Sequence, residues 1–198
     1  MTVIGLDEAG RGPWAGPVLA AAVVLDAARL PPALLSRLDD SKALKPAARE
    51  AILAELQEAE SRGLARLAVG RAEVVEIDSL NILQASLTAM ARAVGALKGV
   101  APAAVLVDGN RLPNLACPAE AVVKGDRRSL SLAAASIVAK VTRDREMAAL
   151  AARFPGYGWE RNQGYGTAEH QAALKALGVT PAHRRSFRPV RELLEATT

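Results

Sequence analysis

Val3-Ile4-Gly5-Leu6-Asp7-Glu8-Ala9-Gly10-Arg11-Gly12-Pro13 is the stretch that decides how this 198-residue chain is read. Val3, Ile4 and Leu6 make a short buried strand, Asp7 and Glu8 set two carboxylates at its end, and glycines flank the arginine that follows. Two adjacent negative charges repel one another unless protons or a cation intervene, and a hard divalent metal ion suits a site built of oxygens. Alternation along a strand sends Asp7 and Glu8 to opposite faces unless the chain bends there, and glycines on both sides allow a bend. Glu8 could instead pair with Arg11 in a plain salt bridge.

The same grammar recurs at Val105-Leu106-Val107-Asp108-Gly109-Asn110, an apolar strand ending in a carboxylate and a glycine turn. If the two strands are sheet neighbours, roughly 5 Å apart, Asp7 and Asp108 can share one cation. Val122-Val123-Lys124-Gly125-Asp126 delivers a further acid after another short strand. Asp7, Glu8, Asp108 and Asp126 would then converge on one edge of the sheet. The plainer account makes Asp108 a turn former and Asp126 a cap for the next helix.

Working outward, strands and helices alternate. A second apolar run, Val18 to Leu25, follows the Gly- and Pro-rich link from Gly12 to Pro17, which predicts a hairpin. Pro46 at a first turn, Ile52, Leu53 and Leu56 on one face and Gly63 as the stop predict a helix over 47–62. A strand over 64–69 follows. Leu83, Leu87, Met90, Val94 and Leu97 then mark a long amphipathic helix that Asn81 can cap. Strands over 104–107 and 121–123, a helix over 129–152 and a helix over 167–177 complete the pattern, which is that of an α/β protein. From Phe154 the texture changes to Gly, Arg, Asn and Gln around Tyr157, Trp159 and Tyr165. The chain thus divides into a core over residues 1–152 and a small C-terminal lobe over 153–198.

Composition narrows the chemistry. Cys117 is the single cysteine and there are two histidines, so neither a disulfide framework nor a Cys/His zinc site can be assembled. No Walker-type phosphate loop precedes Lys42 or Lys140, and Gly5, Gly10 and Gly12 lack dinucleotide-fingerprint spacing. No apolar run approaches the roughly 20 residues of a membrane span, and no basic-then-apolar leader precedes the first strand, so the expectation is a cytoplasmic protein, monomeric by default. The net charge of +4 is uneven. Lys175, Arg184, Arg185, Arg188 and Arg191 fall in a stretch without Asp or Glu, a block that attracts a polyanion. Carboxylates around divalent ions suit phosphoryl transfer.

The motifs together resemble ribonuclease HII, the type 2 ribonucleases H. They are Asp7-Glu8-Ala9-Gly10-Arg11-Gly12, Asp40-Ser41-Lys42, Asn81-Ile82-Leu83-Gln84, Val107-Asp108-Gly109-Asn110, Lys124-Gly125-Asp126, Ala134-Ala135-Ser136-Ile137-Val138-Ala139-Lys140, Gly164-Tyr165-Gly166-Thr167 and His183-Arg184-Arg185-Ser186-Phe187, in family order over nearly the whole chain. The resemblance implies a ribonuclease H-like fold, a five-stranded mixed sheet flanked by helices, with a helical C-terminal portion closing over nucleic acid. It implies hydrolysis of the RNA strand of RNA/DNA hybrids and cutting 5′ to single ribonucleotides in duplex DNA. Carried over, Asp7, Glu8, Asp108 and Asp126 match the acids that bind Mg²⁺ or Mn²⁺, two ions during catalysis. Gly10, Arg11 and Gly12 match the sensor of the 2′-hydroxyl, Tyr165 the ring that stacks on the adjacent deoxyribose, and Lys42 a phosphate contact. Arg184 and Arg185 are further nucleic-acid contacts in this reading.

Backbone flanked by glycine can approach a sugar where a Cβ would clash, and an aromatic face is a poor neighbour for an extra hydroxyl. Arg127 puts a cation beside Asp126; Asp144 competes as the fourth acid, with an ion pair to Lys140 one helical turn away the simpler account; and His170 and His183 are candidate proton carriers, read more readily as hydrogen-bonding groups. Two other functions use the same residues. A junction resolvase would share the acids and not need the Gly-Arg-Gly turn, and a silent hybrid-binding module would have no use for all four carboxylates.

Overall fold

The computed structural model describes residues 2–38 and 44–196, so Lys42 and its Asp40-Ser41-Lys42 motif lie outside the described residues, as does the side chain of Arg127. Among the described residues five strands form one sheet in the order β3-β2-β1-β4-β5. The strand read from the opening stretch, β1 (Val3–Ala9), is central, because its apolar residues are covered on both faces. It pairs antiparallel with β2 (Val18–Leu25), which closes the predicted hairpin, and parallel with β4 (Ala104–Asp108). β2 pairs antiparallel with β3 (Ala65–Ala72), and β4 runs parallel to β5 (Ala119–Val122). The sheet is therefore mixed, as expected. β3 runs three residues past its predicted end because β2 offers it a partner at every position from Leu25 back to Val18.

Helices cover both faces. On one, α1 (Pro32–Leu38), α2 (Pro46–Ser61) and α5 (Leu130–Arg153) enclose Ala21, Val23, Leu53, Leu56 and Ile137. Ala133, Ala134, Ala135 and Ala139 are buried there, and their small side chains let α5 lie close on β1 and β2. On the other, α3 (Val74–Leu80) and α4 (Ile82–Ala96) pack Ile77, Ala85, Ala89 and Met90 against Ile4, Leu6 and Val107. Asn81 caps α4 as read from the sequence, its side-chain oxygen accepting from the amides of Leu83 (3.0 Å) and Gln84 (3.2 Å).

A third cluster gathers Trp159, Tyr157, Leu174 and Val190 from α6 (Trp159–Asn162), α7 (Ala168–Leu177), α8 (Arg188–Ala196) and their links. Ala15 from the β1–β2 connection and Met147 from α5 are buried in the same cluster. The connection also bridges to His183 as a short antiparallel pair. No helix among the described residues is long and apolar enough to cross a membrane.

Candidate active site

Parallel pairing sets Leu6 opposite Val107, so Asp7 and Asp108 leave neighbouring strands at the same level of the sheet edge, roughly 5 Å apart along the ladder. Asp108 Oδ1 accepts the amide of Gly125 at 2.9 Å, which fixes the 3₁₀ turn Gly125–Arg127 and with it the buried Asp126. Asp126 is thus not the cap of α5; Ser129 occupies that position. The strand does not bend at the acids. Its ladder with β2 continues through Ala9, and the turn comes at Gly10, so Asp7 and Glu8 alternate along a regular strand.

The two carboxylates are nonetheless electrostatically coupled. Burial, then the charges of Glu8 and Asp108, push the Asp7 carboxyl up to about 8, against a bond from the Glu8 amide (2.8 Å) and one with the Ser136 side chain. Glu8 is raised too, chiefly by burial, although Arg11 offsets part of this through an ion pair at 3.2 Å. That pair was one of the two readings open from sequence. Among the described residues, no three acidic, histidine or cysteine groups are set to hold an ion between them. The donors are nevertheless hard oxygens crowded in like charge. That suits a divalent cation held by one or two carboxylates, with water and a substrate phosphate completing its shell.

The cleft beside these acids measures about 390 Å³ and is lined by Glu8, the Gly10-Arg11-Gly12 turn and Tyr165, with Arg49, Ser136 and Lys140. Gly10 has φ +99°, and a Cβ there would lie 2.0 Å from Arg143 Nε, so glycine is required twice over. At Gly12 a Cβ would come 3.2 Å from Tyr165 Cε1, which places the half-exposed tyrosine ring directly over the turn. Arg49 carries no signal in the sequence as a cleft residue; only the folded cleft, where it joins Glu8 and Ala9 in the lining, reveals it.

Arg184 corrects a sequence-based expectation. It is fully buried, and its guanidinium is spent on backbone carbonyls: Nε donates to Gly16 (2.9 Å), Nη1 to Arg11 (3.0 Å) and Nη2 to Gly10 (2.6 Å) and Pro17 (3.2 Å). It holds the turn from beneath and does not reach a nucleic acid. Arg143 acts beside it, donating to the carbonyls of Gln163 (3.0 Å) and Ala15 (3.1 Å). Burial draws both guanidinium pKa values down, Arg143 to about 10 and Arg184 to about 9, the second also through its like-charged neighbour.

Arg185 is exposed but lies outside the cleft lining, and its amide donates to Asp78 at 3.0 Å. In the basic block, Arg188 and Arg191 pair with Glu192 and Glu195 on α8, which reduces the field the sequence suggested. Lys140 and Asp144 form the expected i,i+4 pair at 2.5 Å. His170 and His183 are buried in the lobe, away from the acids' cleft.

A sequence model of the ribonuclease HII family matches residues 4–190. Ribonuclease HII of Rhodospirillum rubrum is 61% identical over 192 residues, covering 97% of this chain and 86% of that one. Ribonuclease HII of Paramagnetospirillum magneticum is also 61% identical, over 97% of this chain and 92% of its own. Among solved structures, ribonuclease H2 of Pyrococcus horikoshii superposes with a TM-score of 0.79 at 28% identity, covering 99% of this chain and 98% of that one. With the mixed five-stranded sheet and its edge of acids, these matches settle the assignment: the chain belongs to the ribonuclease HII family of ribonuclease H hydrolases.

Proposed function

We propose that the protein is a divalent-metal-dependent endoribonuclease that hydrolyses the RNA strand of RNA/DNA hybrids and cuts 5′ to single ribonucleotides embedded in duplex DNA. The products carry 3′-hydroxyl and 5′-phosphate ends. The observation that carries this reading is the Tyr165 ring lying over Gly12 in the cleft that Glu8 also lines. A sugar-sensing surface thereby shares one opening with Glu8, the acid that follows Asp7 on β1, while Asp7, Asp108 and Asp126 lie outside its lining. Exposed backbone at Gly10 to Gly12 is suited to reading a 2′-hydroxyl, and the tyrosine face is suited to a sugar that lacks one.

Asp7, Glu8, Asp108 and Asp126 would hold Mg²⁺ or Mn²⁺, two ions in the working complex. When bound, such ions would supply charge neutralisation and an activated water. The chain's own part is to keep Asp7 and Asp108 level on adjacent strands, to tie Asp126 to Asp108 through Gly125, and to hold Glu8 against Arg11. Arg49 and Lys140 place positive charge in the cleft for the phosphate backbone. Lys42 and Arg185 remain candidate phosphate contacts, and residues 153–198 serve as the substrate-binding lobe around Tyr165.

The test is cleavage of a labelled DNA duplex containing one ribonucleotide, beside the same duplex without it and a four-way DNA junction, with Mg²⁺ or Mn²⁺ and with chelator. A metal-dependent cut on the 5′ side of the ribonucleotide, lost in Asp108→Asn, is the expected result. Cutting of the all-DNA junction alone would replace this reading with a resolvase, and binding without any cut would leave a silent module.

A further inference from the structure

The interior of the C-terminal lobe contains a chain of hydrogen bonds that ends on the backbone of Tyr165. The amide of Thr180 donates to His183 Nδ1 at 3.0 Å, so that nitrogen carries no proton. A neutral His183 then bears its proton on Nε2, which faces His170 Nε2 at 3.1 Å. His170 Nε2 also receives the indole N–H of Trp159 at 3.1 Å and must be an acceptor. The proton of His170 is therefore on Nδ1, which lies 3.0 Å from the carbonyl oxygen of Tyr165 and donates to it. Every hydrogen points one way, from Thr180 through His183 and His170 to Tyr165. No other assignment of two neutral rings satisfies all four contacts.

The surroundings hold the rings in this state. Both histidines are buried among Trp14, Tyr157 and Trp159, and burial lowers both imidazoles, His183 to about 4. An extra proton on His183 would turn an N–H against the Thr180 amide, with only the Thr180 hydroxyl at 2.9 Å to accept it, and one on His170 would face two donors at once. The end of the chain matters for the site. Tyr165 sits between Gly164 and Gly166, which impose little conformational restriction, so the direction of its ring depends on what fixes its backbone. Its carbonyl is held by His170 Nδ1 and by the amide of Thr167 (2.8 Å), while the Thr167 side chain accepts the His170 amide at 3.2 Å.

We propose that His170 is a positioning residue for Tyr165, its tautomer set by His183, and that this pair holds the tyrosine ring over Gly12 so that the enzyme discriminates the sugar at an RNA-to-DNA junction. The assignment rests on the role given to Tyr165 above and adds the device that keeps its ring in place.

Two substitutions at one position separate this role from simple packing. His170→Asn puts an amide N–H where Nδ1 stood and keeps the bond to Tyr165. His170→Gln reaches the position of Nε2 and loses that bond. Both remove the same ring, but His170→Asn also leaves the Trp159 indole and His183 Nε2–H without their acceptor, so its Tm is expected to be the lower of the two, and a selectivity lost only in His170→Gln cannot be put down to lost stability. The readout is the ratio of kcat/KM on duplex DNA with one ribonucleotide to kcat/KM on a uniform RNA/DNA hybrid, measured well below each variant's Tm. Tyr165→Ala sets the size of a full loss.

His170→Gln is expected to lower the ratio about tenfold, toward the Tyr165→Ala value, while His170→Asn stays within about threefold of the parent. Equal ratios for the two folded variants overturn the proposal. If Tyr165→Ala itself leaves the ratio unchanged, the reading of Tyr165 fails, and His170 loses this role with it. Nitrogen-15 NMR of histidine-labelled wild-type protein tests the relay independently of substrate and of variant folding. Nδ1–H on His170 and Nε2–H on His183 at neutral pH are expected, and the opposite tautomer on either ring overturns it.

Discussion

Asp7 shows what the site demands of a single residue. It is buried between two like charges, and its carboxyl is pushed to about 8, so the metal-free protein spends stability to keep an acid there. Asp7→Asn keeps the shape and the bond from the Glu8 amide while removing the charge. Measured in chelator near pH 8, its Tm is expected to rise by a few degrees above the parent, while kcat with Mg²⁺ falls by about 100-fold or more. A lower Tm in chelator would show that burying the Asp7 carboxyl beside Glu8 and Asp108 does not cost the metal-free fold stability. Asp7 and its neighbours were legible because a strand ending in acid and glycine leaves a local pattern. Arg184 was misread because an arginine in a basic run looks the same in sequence whether its guanidinium meets water or four carbonyls.

At the scale of elements, the β1–β2 connection is held less by its own residues than by side chains from α5 and from the segment before α8. Arg184 alone donates to four carbonyls between Gly10 and Pro17. Arg184→Met keeps the bulk of the side chain and takes the side-chain donor from the Gly10, Arg11 and Gly16 carbonyls, Pro17 keeping Arg143, which should cost about 3 kcal/mol or more. The salt dependence of duplex binding should keep its slope, because no phosphate contact is lost. A shallower slope with an unchanged Tm would restore Arg184 as a surface contact.

The lobe also makes a prediction about acid. His183 titrates near 4 when folded and near 6.5 when unfolded, so below 6.5 the unfolded chain takes up the proton first. The stability this group contributes is complete above pH 6.5 and is lost as pH falls toward 4. The Tm difference between the parent and His183→Asn should shrink over that window and stay constant above it. The long elements were read correctly within a few residues, since their apolar periodicity is strong. The seven-residue helices Pro32–Leu38 and Val74–Leu80 were not, and Arg188–Ala196 was missed because its charges mask its single buried residue, Val190. α3 matters to the site through Asp78, whose carboxylate accepts the amides of Arg185 (3.0 Å) and Ser186 (2.9 Å). No local pattern announces a contact spanning more than a hundred residues.

Across the described residues, the β1–β2 connection contributes Ala15 and Trp14 to the lobe cluster, and the buried Arg143 and Arg184 bond α5, the connection with its Gly-Arg-Gly turn, and the lobe to one another. That arrangement predicts one cooperative unfolding event. The chain supplies its own separate probes. Both tryptophans, Trp14 and Trp159, belong to the lobe cluster, whereas most of the backbone in strands and long helices belongs to the sheet and its covering layers. Tryptophan fluorescence therefore reports the lobe and far-ultraviolet circular dichroism reports the remainder. The two melting curves should coincide in the parent protein. In Arg184→Met the fluorescence transition should move to lower temperature ahead of the dichroism, because the lobe loses its main polar tie to the turn while the sheet keeps its packing. Two separate transitions in the parent would mean that the Tyr165 side of the cleft can detach while the acids stay folded. Sugar selectivity would then fall on heating before hydrolysis itself is lost.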